Sequence, residues 1–221
     1  MLDGKELTIG VSGMLWKNSL VMYDRETETL WSHFTGEGLA GPNKGKTLKM
    51  LRSTPRVKWP DWVAAYPDTK VLKVDGMTHK VVSRYAGYFR DPSKFGMRPV
   101  ENSDKRLRGK ALVLGVLVGD TRTAISFDLL AEEVIVEANV GGQRIAVYMD
   151  SETRLFGAVE LPDGVEVTDV SERRITTSDG KSYSAADGQG DGDSLTMLPA
   201  IRTFWFAWSD HHPETELITG R

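Results

Sequence analysis

The sequence predicts an α+β protein, mostly antiparallel β, in which two related halves form a bent sheet or open barrel carrying three short helices. Three observations lead there. First, WPDWVAAYPDTKVL (Trp59 to Leu72) and WFAWSDHHPETELI (Trp205 to Ile218) both read W-x-x-W-x-x-x-x-P-[DE]-T-x-x-[LI], without a gap. Second, two further matches precede each tryptophan pair in the same order. WSHFTGEG (Trp31 to Gly38) aligns with YSAADGQG (Tyr183 to Gly190), and LKML (Leu48 to Leu51) aligns with LTML (Leu195 to Leu198). Three matches in one order point to an internal duplication. Third, the 22 glycines are spread among turns, which favours short strands and tight bends over a helical bundle.

Each element follows from local chemistry. DRETET (Asp24 to Thr29) and SDGK (Ser178 to Lys181) are turn sequences between apolar runs, so each closes a hairpin. The aromatic and serine that follow end the next strand. In WPDWVAAYP, Pro60 suits a helix start and Trp59, Trp62, Val63 and Tyr66 share one helical face, predicting a helix over 59–66. ALVLGVLVGDTRTAISF alternates and turns at Gly119-Asp120, a hairpin. SFDLLAEE then offers a serine N-cap and a short helix over 125–132. EVIVEANVGGQRIAVYMD reads as two strands around Gly141-Gly142, and RLFGAVEL as another. TFWFAWSDHHP places Trp205, Trp208 and His212 at i, i+3 and i+7, predicting a helix over 202–212 stopped by its proline. The stretch before the second copy has no counterpart before the first. The expected division is therefore 1–103, an incomplete half, and 104–221, a complete one, intertwined as one globular unit.

Composition excludes several classes of function. A net charge of -3 carries no basic surplus for nucleic acid. The basic stretch KRLRGK (Lys105 to Lys110) reads as a solvated linker. With no cysteine, disulfides, zinc-thiolate sites and thiol nucleophiles are excluded. No run approaches the roughly 20 apolar residues of a membrane span. The first residues lack the basic and apolar regions of a signal peptide. As written, the chain reads as cytoplasmic, and secretion of a longer parent product stays open.

GVSGMLWKNSLVMYDRETETLWSHFTGEGLAGP (Gly10 to Pro42), VLGVLVGDTRTAISFDLLAEE (Val113 to Glu133) and FWFAWSDHHPETEL (Phe204 to Leu217) resemble the prokaryotic family catalogued as domain of unknown function 3179 (DUF3179). The resemblance covers most of the chain. It implies an upstream half-unit, with a histidine, an asparagine-aspartate pair and a CPLC-like strand, that would fall before Met1. The equivalent strand here, IAVYMDSETRLFGAVE, has no cysteine, so thiol chemistry cannot occur in it. The family brings no established activity.

The residues offer few routes to chemistry. The histidines are His33, His79, His211 and His212, with no H-x-x-x-H or H-x-H spacing. His211 and His212 diverge on a helix; one is expected to cover the helix end as a cation, and no metal site is predicted. His33 and Glu37 could act as an acid/base pair, although the second copy has Ala185 where the first has His33. DGQGDGD (Asp187 to Asp193) lacks EF-hand spacing and reads as an exposed acidic turn; GPNKGKT (Gly41 to Thr47) is one residue short of a Walker A loop. Ser12, in VSG, is a bare nucleophile candidate with no elbow motif. The leading reading is a non-enzymatic binding module. Its ligand would lie between the halves, against Trp31, Trp59, Trp62, Trp205 and Trp208 and near Gly36, Gly38 and Gln189. The alternatives are a hydrolase using His33 and Glu37, and an assembly protein completed by a partner chain. A homodimer or a partner segment completing the first half is expected; a cofactor and nucleic acid are not.

Overall fold

The computed structural model describes residues 2–50, 59–72 and 85–220. The chain opens with a four-stranded antiparallel meander: β1 (Ile9–Trp16), β2 (Ser19–Asp24), β3 (Leu30–Ser32) and β4 (Gly38–Ala40), in that order. Lys17 and Asn18 both take positive φ, 47° and 60°, the two-residue type I′ turn whose twist matches its strands. The DRETET turn is locked from below. Asp24 is fully buried and its carboxylate accepts from the Thr27 backbone N–H, the Thr27 hydroxyl and, at 2.8 Å, the Trp31 indole N–H. Burial pushes its pKa up, but the hydrogen bonds from Trp31 and Thr27 outweigh this and hold it below the usual value.

Two helices follow, α1 (Trp59–Ala65) and α2 (Ala86–Arg90). Then come the hairpin β5 (Leu112–Val118) and β6 (Thr121–Ser126), the helix α3 (Phe127–Glu133), and the strands β7 (Ile135–Val140), β8 (Gln143–Met149) and β9 (Phe156–Glu160). Ser126 caps α3: its hydroxyl accepts from the Asp128 N–H at 3.2 Å. β7-β8-β9 is a separate antiparallel sheet. A second meander, β10 (Val167–Ser171), β11 (Arg174–Thr177) and β12 (Ser182–Ser184), precedes β13 (Ala200–Phe204), α4 (Trp205–His211) and β14 (Glu216–Ile218). β13 and β14 flank the β5-β6 hairpin, giving the order β13-β5-β6-β14 with β14 parallel to β6.

The mostly antiparallel, β-rich α+β class is as expected, with two corrections. Among the described residues the strands form four sheets rather than one bent sheet, without a closed barrel, and there are four short helices rather than three. The unexpected helix is α2. The helix expected over 202–212 begins only at Trp205, because Arg202, Thr203 and Phe204 pair with Leu114, Val113 and Leu112 of β5. An available sheet edge outweighed helical spacing there.

Three cores hold these layers. One lies between β5-β6, α3 and β7-β9, with Leu114, Ile125, Leu130, Ile145 and Phe156. A second joins the other side of β7-β9 to the meander β10-β12 through Ala146, Tyr148, Val159, Val170 and Ile175. In the third, Trp205 and Trp208 of α4 pack on Val113 and Ala124, with Phe34 of the first meander against them. Gly115 makes that packing possible: a Cβ there would collide with the Trp208 ring, so bare backbone lets the indole lie on β5.

Candidate functional site

One concavity draws its walls from both ends of the chain. Leu15, Leu20, His33 and Phe34 come from the first meander, Tyr88 and Phe95 from the segment around α2, and Ile201, Phe204 and Phe206 from β13 and α4. The cavity is about 830 Å³. Its aromatic side is organised: Phe204 and Phe206 stack with centroids 6.0 Å apart, and Phe95 lies 5.5 Å from Phe206. The α2 segment is pinned to the cavity. Lys110 Nζ donates to the carbonyls of Tyr88 and Asp91 and sits 3.7 Å over the Tyr88 ring. On the other side, Asn18 holds Arg98, donating from Nδ2 to its carbonyl at 3.0 Å and accepting its N–H at 2.8 Å. Lys110 thus has a structural task beyond the solvated linker that KRLRGK suggests.

A second cavity of about 630 Å³ lies beside it, lined by Met22, His33, Gly36, Leu48, Met50, Met197 and Leu198 among others. His33 is exposed and borders both cavities. Glu37 borders neither, and no hydrogen bond joins it to His33. Glu37 serves the backbone instead: its carbonyl accepts the Ser32 N–H at 2.8 Å.

The five tryptophans singled out in the sequence border neither cavity. Trp31, Trp205 and Trp208 are fully buried, and each indole N–H is satisfied: Trp31 by Asp24, Trp205 by the Asp104 carbonyl at 3.1 Å, and Trp208 by Thr215 Oγ1 at 2.8 Å. Trp62 is half-buried and donates to Thr69 Oγ1 at 2.9 Å; Trp59 is exposed. Gly36 takes φ 75°, and a Cβ there would strike the Leu48 carbonyl; a Cβ on Gly38 would strike that of Asn43. Gln189 is exposed and borders neither cavity. The aromatic rings that do line the larger cavity are Phe34, Tyr85, Tyr88, Phe95, Phe204 and Phe206. Phe204 and Phe206 were visible in the sequence as the residues flanking Trp205, pointing away from the tryptophan face.

The adjacent histidines sit beneath this cavity. His211 stacks on Phe34 with centroids 4.4 Å apart, and its Nε2 lies 3.0 Å from Ser19 Oγ. His212 lies 4.4 Å from the Trp208 ring. Burial pushes both pKa values down to about 4, helped by Lys17 beside His211 and by Arg122 near His212. Both are therefore neutral near pH 7. The cation at the end of α4 is Lys17, whose Nζ donates to the Asp210 carbonyl at 2.7 Å, and not a histidine as the sequence suggested. Asn102 N–H donates to Asp210 Oδ1 at 2.8 Å, fixing the same turn. Among the described residues no group of three or more His, Cys, Asp or Glu side chains could hold a metal ion, and no helix is long and apolar enough to cross a membrane.

These features describe a β-rich α+β protein with an aromatic cavity that, among the described residues, has His33 but no carboxylate on its wall. Residues 1–215 match the family model described as protein of unknown function (DUF3179), and the chain belongs to that family. No curated protein matches it, and no solved structure does.

Proposed function

We propose that the chain is a binding module of two related halves, 1–103 and 104–221, that holds an apolar, ring-bearing ligand between them. The observation that carries this reading is the larger cavity, whose walls come from Leu20, His33 and Phe34 on one side and Phe204 and Phe206 on the other. Its volume and apolar lining suit a small organic molecule, and His33 offers one polar contact to orient it. The hydrolase alternative keeps His33 on a cavity wall but has no support from Glu37, which lines neither cavity.

The two-half reading is supported by matched backbone detail. Ser32 N–H donates to the Glu37 carbonyl, and Ser184 N–H to the Gln189 carbonyl, both at 2.8 Å. Leu48 N–H donates to Gly36, and Leu195 N–H to Gly188, both at 2.9 Å, and the two glycines share φ values of 75° and 77°. Trp62 bonds Thr69 as Trp208 bonds Thr215. Such agreement through turns, strands and helices is what a copied module would leave.

The cavity is tested with 1-anilinonaphthalene-8-sulfonate, whose fluorescence rises in apolar sites. Saturable binding of one probe per chain is expected, with a Kd on the order of 10 μM. Leu20→Trp, which puts a bulky ring into the cavity from the first meander, should weaken binding at least tenfold without lowering the thermal midpoint. Probe binding by Leu20→Trp equal to that of the native chain would overturn the proposal.

A further inference from the structure

The second cavity, about 630 Å³, is lined by both of the aligned LxML segments. Lys49 and Met50 come from the first, and Thr196 and Met197, their matches in the alignment, from the second. The β5-β6 hairpin adds Leu117 and Arg122, which are cross-strand partners beside the turn at Gly119. The cavity shares only His33 with the aromatic one.

Charge on this wall has one sign. Lys49 and Arg122 line it, and among the described residues no Asp or Glu does. Arg122 is half-buried, and its guanidinium is held in place from one side. Nη1 donates to the Gly119 carbonyl at 2.7 Å and to the Thr121 carbonyl at 3.0 Å, which leaves Nε and Nη2 without a partner among the described residues. Neither Arg122 nor Lys49 forms an ion pair there. Arg106 and Arg144 differ: Arg106 pairs with Asp104 at 2.7 Å, and Arg144 with Glu137 at 3.4 Å. A guanidinium drawn out of water carries a desolvation cost that a bound anion offsets. The remaining wall is largely apolar. Met22, Met50 and Met197 are unbranched and adaptable, and with Leu117 they suit a flexible hydrocarbon.

We infer that the second cavity is a binding site for an amphipathic organic acid. The Nε and Nη2 edge of Arg122 takes the carboxylate, Lys49 adds a second positive charge, and the alkyl body lies against the methionines. A planar carboxylate matches the two N–H groups on one edge of a guanidinium, whereas lysine acts as a point charge. The volume is that of a small-molecule site. Free phosphate would satisfy the cations but leave the methionines and Leu117 facing water, so the wall favours a single charge carried on a chain. This site stands whether or not a ring-bearing ligand occupies the aromatic cavity.

The test titrates octanoate into the whole chain by calorimetry, beside 1-octanol and inorganic phosphate. One octanoate per chain is expected, with a Kd on the order of 100 μM. 1-Octanol, which lacks the charge, and phosphate, which lacks the chain, should each bind at least tenfold more weakly. Arg122→Gln should weaken octanoate binding roughly tenfold or more, and Arg122→Lys, which keeps the charge without the fork, should fall between. Lys49→Gln, at an exposed position, should weaken it about threefold with an unchanged thermal midpoint, which keeps the test decisive should the Arg122 variants disturb their hairpin. No octanoate binding at about 5 mM would overturn the inference. So would equal binding of 1-octanol, or equal octanoate affinity in the native and Lys49→Gln chains. Phosphate binding as tightly as octanoate would make this a plain anion site and overturn the organic-acid assignment. Leu20 lines the aromatic cavity and not this one, so Leu20→Trp should leave octanoate binding unchanged; its loss there would place the acid in the aromatic cavity and overturn the inference. Binding of the naphthalene probe is measured separately, so failure of one proposal is distinguishable from failure of the other.

Discussion

α1 and α4 are both seven residues long, and each has a tryptophan whose indole bonds a threonine seven positions later. In α4 every residue is buried; in α1 Trp59 is exposed and Trp62 half-buried. Local sequence sets the turn of backbone, the proline stop and the indole bond. How much those contacts stabilise the fold is set by what lies opposite: β5 and β6 in one case, nothing of that kind among the described residues in the other.

The largest test of this comparison is a pair of truncations. Trp208→Ala should cost about 3–5 kcal/mol, as for a fully buried aromatic. Trp62→Ala should cost about 1–2 kcal/mol, since part of its surface is already in water. Urea denaturation measures both, and equal costs would break the comparison. Next come the glycines. Gly36→Ala and Gly188→Ala each put a Cβ against a carbonyl at positive φ. Each should destabilise by about 1–3 kcal/mol. The two losses should agree within roughly 1 kcal/mol if the turns are equivalent, and a larger gap would show that the likeness is superficial.

The smallest effect is the pH dependence that the buried histidine pair adds in the second half. His211 and His212 have folded pKa values of about 4, below the ordinary 6.5. The unfolded chain therefore binds more protons between those values. The stability held by the neutral rings is full above pH 6.5 and is lost as pH falls toward 4. A drop in thermal midpoint of roughly 5 °C between pH 7 and pH 4.5 is expected. His212→Tyr, which installs the residue that Tyr66 contributes after α1, should shrink that drop. An unchanged pH profile in His212→Tyr would mean that other groups govern the acid limb.

What could be read from the residues was local. Turn chemistry located the hairpins at Asp24 to Thr29, Gly119-Asp120 and Gly141-Gly142, and Ser126 announced α3. α2 was not legible: AGYFR has no apolar period, and Lys110, nineteen or more positions away, holds its end. The aromatic cavity was missed for a related reason. Tryptophan spacing shows which rings share a helix face, but that face turned inward onto Val113 and Ala124, leaving the flanking Phe204 and Phe206 to meet Leu20 and Phe34. The His33-Glu37 pairing assumed that closeness in sequence meant one wall, whereas the turn at Gly36 separates their surroundings.

The seat that Gly115 leaves for Trp208 makes the two residues a size-matched couple. Neither can be enlarged or trimmed without regard to the other, so in a library randomised at both positions the functional clones should trade volume between strand and helix. Alanine or serine at 115 should survive only beside a smaller ring at 208, which would make this couple a sensitive reporter of whether α4 still rests on its sheet.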